Sequence, residues 1–256
     1  MEKKKDKQSG IPLVVIGLVL VGAVILFAWC SNSSKNTPKN TNATANAKIT
    51  PMPEVSQAGA QPPNFLGSPN ATVTVEEFAD FQCPSCGQAY PILHEVQSLY
   101  GPRIKFIFRN FPLPMHDKAY DAAVAAEAAG IQGQDKFWAM HAQLYQNQKT
   151  WSADPNYKQT FKSYAEKIGL NIDQWETDMA GLQVRNRVQA DIERGKALNI
   201  NSTPTVFVNR KEVPFQQVLK VSEMQKILDD ELKAAQPAQQ PAQSAPATNV
   251  SNSGTK

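Results

Sequence analysis

The chain is 256 residues long, enough for one sizeable domain with appendages or at most two small domains. Hydrophobic content of 41% with 19% charged residues excludes wholesale disorder, and three cysteines are too few for a disulfide-stapled scaffold. The formal charge of +3 comes from the tails: residues 65–235 hold 18 Lys/Arg against 20 Asp/Glu, so the foldable part is slightly acidic and offers no footprint for nucleic acid.

Residues 1–10 concentrate Lys ahead of nineteen uncharged residues, Ile11 to Trp29. As a helix rising about 1.5 Å per residue this run reaches roughly 28 Å, close to the hydrocarbon thickness of a bilayer. Lys before it and only sparse Lys after it predict a membrane anchor over 11–29, with residues 1–10 cytoplasmic and the remainder exported. A cleaved signal peptide is the competing reading, but Ala28-Trp29-Cys30 is a poor A-x-A-like site, which favours the uncleaved anchor. Residues 30–64 and 236–256 are Ser/Asn/Ala/Pro-rich with few large apolar side chains, and are expected to be a flexible linker and a disordered tail. Cys30, at the membrane surface, can link two chains or remain free.

Between the tails, TVTVEEFADF (72–81) is β-branched and aromatic enough for a buried strand. Ala89, Ile92, Leu93, Val96 and Leu99 then recur at helical spacing until Gly101-Pro102. RIKFIF (103–108) predicts a second strand. Roughly 117–199 reads as a long helical block punctuated by Gly130, Gly169 and Gly195. TVFVN (205–209) predicts a short strand, KEVPF permits another, and 215–234 predicts a final amphipathic helix. This order describes an α/β layer fold with a helical insertion, and the crossover helix between the first two strands makes them parallel.

The chemistry sits in Cys83-Pro84-Ser85-Cys86, where the strand gives way to the helix. Two sulfurs at this spacing can close one small ring and open it again without moving the rest of the chain. Helix-terminal N–H groups and the partial positive charge favour thiolate at Cys83, the expected attacking sulfur. Pro84 suits the first helical turn, where its missing N–H costs nothing. Cys86, one turn inward, is expected to resolve a mixed disulfide. A zinc site within the chain is disfavoured, since only Cys30 and three scattered histidines remain as ligands. An inert structural disulfide is the other alternative, although so short a loop stabilises little.

EEFADFQCPSC (76–86), FRNFPL (108–113), the Ala-rich helix after it, QDKFWAMHAQLYQNQ (134–148) and STPTVFVN (202–209), in this order, resemble the DsbA-like thiol:disulfide oxidoreductases of the thioredoxin superfamily, above all their membrane-anchored BdbD-like branch. The resemblance spans roughly residues 65–232. It implies a thioredoxin fold with an inserted helical subdomain (about 117–199) in a domain over 65–235, and a role in passing disulfides to exported cysteine-containing proteins. It implies a quinone-linked membrane redox partner, and no cofactor beyond the redox-active disulfide Cys83–Cys86. Thr203-Pro204 matches the family's cis-proline loop, so Pro204 is expected cis and Thr203 is expected to offer backbone hydrogen bonds to an extended substrate. From the residues alone, an ordinary trans turn is the better reading.

Glu77 shares a strand face with Val73, Val75, Ala79 and Phe81, where burial would raise its pKa. It stands six positions before Cys83, where the family carries a proton-relaying acid. A strand-end carboxylate in solvent is the plain alternative. His94 reads as a surface or packing residue, His116 as a loop residue with no catalytic part, and His141 as part of an aromatic core. The expected activity is disulfide introduction from a membrane anchor. The rivals are a reductase or isomerase on the same fold, and a tethered binding or chaperone module.

Overall fold

The computed structural model describes residues 50–236. The anchor expected over 11–29, Cys30, most of the linker and nearly all of the tail lie outside the described residues. Among the described residues no helix is long and apolar enough to cross a membrane.

Six strands form one mixed sheet: β1 (Thr50–Pro51), β2 (Asn64–Gly67), β3 (Val73–Ala79), β4 (Ile104–Asn110), β5 (Thr205–Val208) and β6 (Lys211–Val213). Their spatial order is β1-β6-β5-β3-β4-β2. The sheet's centre is β3, which runs parallel to β4 in register from Val73↔Ile104 to Ala79↔Asn110, and antiparallel to β5. Helix α1 (Pro84–Tyr100) connects β3 to β4, so the parallel pairing anticipated from the crossover holds. Its buried stripe, Cys86, Ala89, Leu93, Val96 and Tyr100, follows the three-four spacing of one helix face. Gly101 ends it at φ 49, a left-handed conformation that a side chain disfavours.

The expected helical block resolves into α2 (Ala119–Ile131), α3 (Gln134–Gln146), α4 (Gln148–Ala153), α5 (Tyr157–Lys167), α6 (Ile172–Ala180) and α7 (Leu182–Ala197). The run of alanines in α2 is buried from Ala122 to Ala129, because small side chains allow neighbouring helices to approach from several sides. The final helix expected over 215–234 is two helices, the one-turn α8 (Phe215–Val218) and the longer α9 (Val221–Ala234). One apolar cluster joins α1 and α9 to the Val73–Val75 face of the sheet. A second fills the helical block and takes in Phe81, Cys83, Cys86 and Phe108. The two cysteines therefore sit at the seam between sheet and helical subdomain.

The linker expected to run to residue 64 joins the fold earlier, and the domain boundary expected at 65 is corrected accordingly. Strand β1 pairs with β6, and Met52, Ala60 and Asn64 are buried. The contacts are made chiefly by backbone carbonyls. Those of Ala58 and Ala60 accept from Arg109, those of Gln61 and Pro62 from Arg187, and that of Gln57 from Arg194. Carbonyls are common to every residue type, so a Ser/Ala/Pro-rich composition carries no trace of them.

These arginines belong to a buried ionic network behind the sheet. Arg109 donates to Glu76 at 2.8 Å and to Asp191 at 3.0 Å, while Arg194 donates to both oxygens of Glu76 at 2.9 Å. Asp191 also accepts from the N–H groups of Ala60 and Asn110. Removing one member leaves buried charge uncompensated. Arg109→Met is expected to lower unfolding stability by about 3–5 kcal/mol in urea denaturation, and to open residues 57–62 to limited proteolysis.

Candidate active site

Strand β3 ends at Ala79, a turn of Asp80, Phe81 and Gln82 follows, and Cys83 caps α1 with φ −68 and ψ 122. Pro84 takes the first helical position and is exposed, Ser85 is half-buried, and Cys86 is fully buried one turn in. Both cysteines are free thiols, so this is the dithiol form. Across from them, Thr203-Pro204 is a cis peptide. Cys83 Sγ lies 3.4 Å from the Thr203 carbonyl oxygen. The structure thus brings Cys83, Cys86, Pro84, Ser85, Thr203 and Pro204 to one place.

The two sulfurs differ in acidity because their surroundings differ. A hydrogen bond from the Cys86 thiol is the largest influence on Cys83 and lowers its pKa. Partial burial opposes it, while the Thr203 side chain and the N–H groups of Cys86 and Ser85 assist, and the value falls to about 5. Cys86 is pushed well above its ordinary value, first by burial, then by its hydrogen bond to Cys83 and the charge there. At neutral pH one sulfur is a thiolate near the surface and its neighbour keeps its proton inside.

Glu77 is 3% exposed, and burial alone raises its carboxyl to about 8. Strand parity places it on the α1 side of β3, opposite in direction to Glu76, which enters the ionic network. Its surroundings include a cavity of about 90 Å³ walled by Tyr90, Trp138 and His141. Its charge, when present, raises the Cys86 thiol further.

Other groups at the site escaped sequence reasoning. Asp80 is buried and its carboxylate accepts from the N–H groups of Gln82 at 2.7 Å and Leu113 at 2.8 Å. His116 Nδ1 stands 2.7 Å from the same carboxylate, and the Asp80 N–H points to Cys86 Sγ at 3.5 Å. The loop histidine, expected to have no catalytic part, thus holds the loop beside the site. Gln148, from α4, donates its side-chain amide to the carbonyls of Phe81 and Cys83. Partners so far apart in sequence leave no local signal. His141 is buried among Phe81, Phe108 and Tyr145 and is held neutral, its pKa driven down to about 3 by burial. His94 is exposed and stacks on Tyr90.

The acidity difference has a sign that can be checked. Cys83 has a folded pKa of about 5 against 9.0 unpaired, so it adds stability to the dithiol form above pH 9 and loses it as the pH falls through 5. The disulfide form has no such group, and Glu77 is present in both. Raising the pH from 5 toward 9 is expected to shift the urea midpoint of the dithiol form upward relative to the disulfide form. Alkylation of Cys83 should show a midpoint near pH 5, with Cys86 unreactive until far higher.

The Thioredoxin family profile matches residues 60–230. The chain is 36% identical over 148 residues to a Na(+)/H(+) antiporter NhaA 1 of Mycolicibacterium gilvum, covering 57% of this chain but only 23% of that protein. It thus spans about a quarter of the length of such relatives. To the probable disulfide bond formation protein D of Bacillus anthracis it is 32% identical over 152 residues, 56% of this chain and 68% of that protein. The crystal structure of oxidised BdbD from Bacillus subtilis superimposes with a TM-score of 0.60 at 25% identity, covering 72% of this chain and 98% of that one. The chain belongs to the Thioredoxin family and stands there among DsbA-like, BdbD-type proteins.

Proposed function

We propose that this chain is a thiol:disulfide oxidoreductase that introduces disulfides into exported cysteine-containing proteins, anchored in the membrane by residues 11–29. The observation that carries this reading is the unequal pair at the start of α1. Cys83 is an acidified sulfur within reach of the Thr203 carbonyl, and Cys86 is a buried sulfur that keeps its proton.

In the disulfide form, a substrate thiolate attacks Cys83 Sγ and the Cys83–Cys86 bond breaks, releasing Cys86 as a thiolate. A thiolate is poorly tolerated at that depth, and the neutral Glu77 carboxyl supplies the proton. The second substrate thiolate then attacks the substrate sulfur of the mixed disulfide, and Cys83 leaves as a thiolate. Two electrons have passed from substrate to enzyme, and a quinone-linked membrane protein accepts them to restore the disulfide. An extended substrate backbone lies along Thr203, opposite Cys83. Because Cys83 is a stable leaving thiolate, the reduced enzyme is favoured and its disulfide is oxidising.

Cys83→Ser is expected to abolish disulfide exchange, whereas Cys86→Ser traps substrate as a stable mixed disulfide on gel electrophoresis. A tethered binding module would retain full substrate capture with both sulfurs gone. Direction is decided by equilibration with glutathione: a potential well above the glutathione pool supports the oxidase, and one well below it replaces that reading with a reductase. Glu77→Gln should slow opening of the Cys83–Cys86 disulfide by on the order of 100-fold. It should also remove the inflection near pH 8 from the stopped-flow rate profile.

A further inference from the structure

Gln148 opens the short helix α4, which is fixed in the helical subdomain by Trp151, fully buried against Phe161. From there its side-chain Nε2 donates to the Phe81 carbonyl and to the Cys83 carbonyl, both at 2.8 Å. The Cys83 carbonyl also accepts the first helical hydrogen bond of α1, from the Gly87 N–H at 3.1 Å. One amide group thus brackets the turn that carries the candidate nucleophile. Its oxygen lies against Gly87, where a Cβ would fall within contact distance of Oε1, Cδ and Nε2 together. The absence of a side chain at 87 is what lets the amide reach both carbonyls.

We propose that Gln148 is a positioning residue through which the helical subdomain sets the direction of Cys83 Sγ. Resting on the oxidoreductase reading above, this deepens it by naming what tunes the reactive sulfur. The N–H groups of Ser85 and Cys86 and the Cys86 thiol reach Cys83 Sγ only while its backbone keeps the extended cap conformation. Two hydrogen bonds at either side of Gln82 hold that conformation from outside the loop. Without them the cap can turn, and the sulfur loses donors that favour its charged form.

Two substitutions test this from opposite sides. Gln148→Met keeps the bulk and removes both donors. Gly87→Ala leaves Gln148 intact but displaces its flexible end, while replacing a poor helix former by the best one. A purely structural role predicts that Gly87→Ala leaves the site unchanged or firmer. The positioning role predicts that both variants move the alkylation midpoint of Cys83 upward by about one pH unit, a tenfold change in its acid constant. Both should also move the glutathione equilibrium about tenfold toward the disulfide form. The other ionisable groups near the sulfur are Cys86 on α1, Glu77 and Asp80 at the end of β3 with His116 beside Asp80, and Tyr145 on α3. Neither substitution removes any of them.

The experiment is iodoacetamide alkylation of Cys83 against pH in the full chain and the two variants. An upward shift in both variants supports the proposal, and a folded variant of either kind whose midpoint does not move overturns it. Midpoints of both variants equal to that of the parent chain, itself near 5, overturn it and leave the oxidoreductase reading standing. A parent midpoint near the ordinary thiol value of 9.0 overturns both. Should Gln148→Met fail to fold by circular dichroism, Gly87→Ala decides alone.

Discussion

The rest of the site depends on the contrast between two sulfurs one helical turn apart. Cys83 is the cap of α1 and Cys86 lies in its first turn, an order that the sequence already sets. What separates them is depth. Cys83 caps the helix, where N–H groups without intrahelical partners and the Cys86 thiol converge on its sulfur. Cys86 lies inward against the sheet, where a charge would be desolvated with no cation to offset it. The fold's first task is to hold α1 against β3 so that the seam falls between them.

Several parts of the structure converge on that task. The central strand β3 is locked on both edges, parallel to β4 and antiparallel to β5, which fixes where Ala79 ends and the loop begins. Asp80 then gathers the N–H groups of Gln82 and Leu113 together with His116, tying the loop after β4 to the turn before Cys83. On the other face of the sheet, Arg109, Arg194, Glu76 and Asp191 bind the entering chain to α7. No member of that network is among the groups that shift either sulfur. The network clamps the adjacent strands β3 and β4 to α7 and to the entering chain, and a layer that cannot shear keeps the depth of each sulfur constant.

How much of this was legible in the sequence follows the range of the interaction. The strand over 72–81, the helix starting at the cysteines and the parallel pair all rest on periodicity within a dozen residues, and the structure has them. The burial of Glu77 was readable from strand parity, because Val73 and Val75 share its face. The contacts of residues 57–62 were not, since they run through carbonyls that composition does not encode. The short strand at Asn64–Gly67 was also missed, as four residues are too few to show alternation. Asp80 with His116 and Gln148 with Phe81 and Cys83 are side chains from distant segments, each unremarkable in its own neighbourhood. Tertiary geometry alone makes them neighbours of the sulfurs.

The proton arithmetic of the pocket explains why the acid on β3 and the buried sulfur belong together. With Cys83 as thiolate at neutral pH, the site carries one negative charge at its exposed end. Glu77 and Cys86 are both kept neutral by burial, and the charge on either would raise the other. A second negative charge inside is therefore disfavoured whichever group carries it. When the proposed exchange breaks the Cys83–Cys86 bond, the electrons arrive on the inner sulfur, and Glu77 is a neutral acid whose charge is coupled to that sulfur. Moving its proton to Cys86 exchanges one buried charge for another. The carboxylate then has a wall of the small cavity beside Tyr90 and His94 through which to recover a proton, whereas the sulfur has none. The proposed transfer thus moves the charge from the inner sulfur to a carboxylate on the cavity wall, and the outer sulfur becomes a thiolate only when the mixed disulfide is resolved.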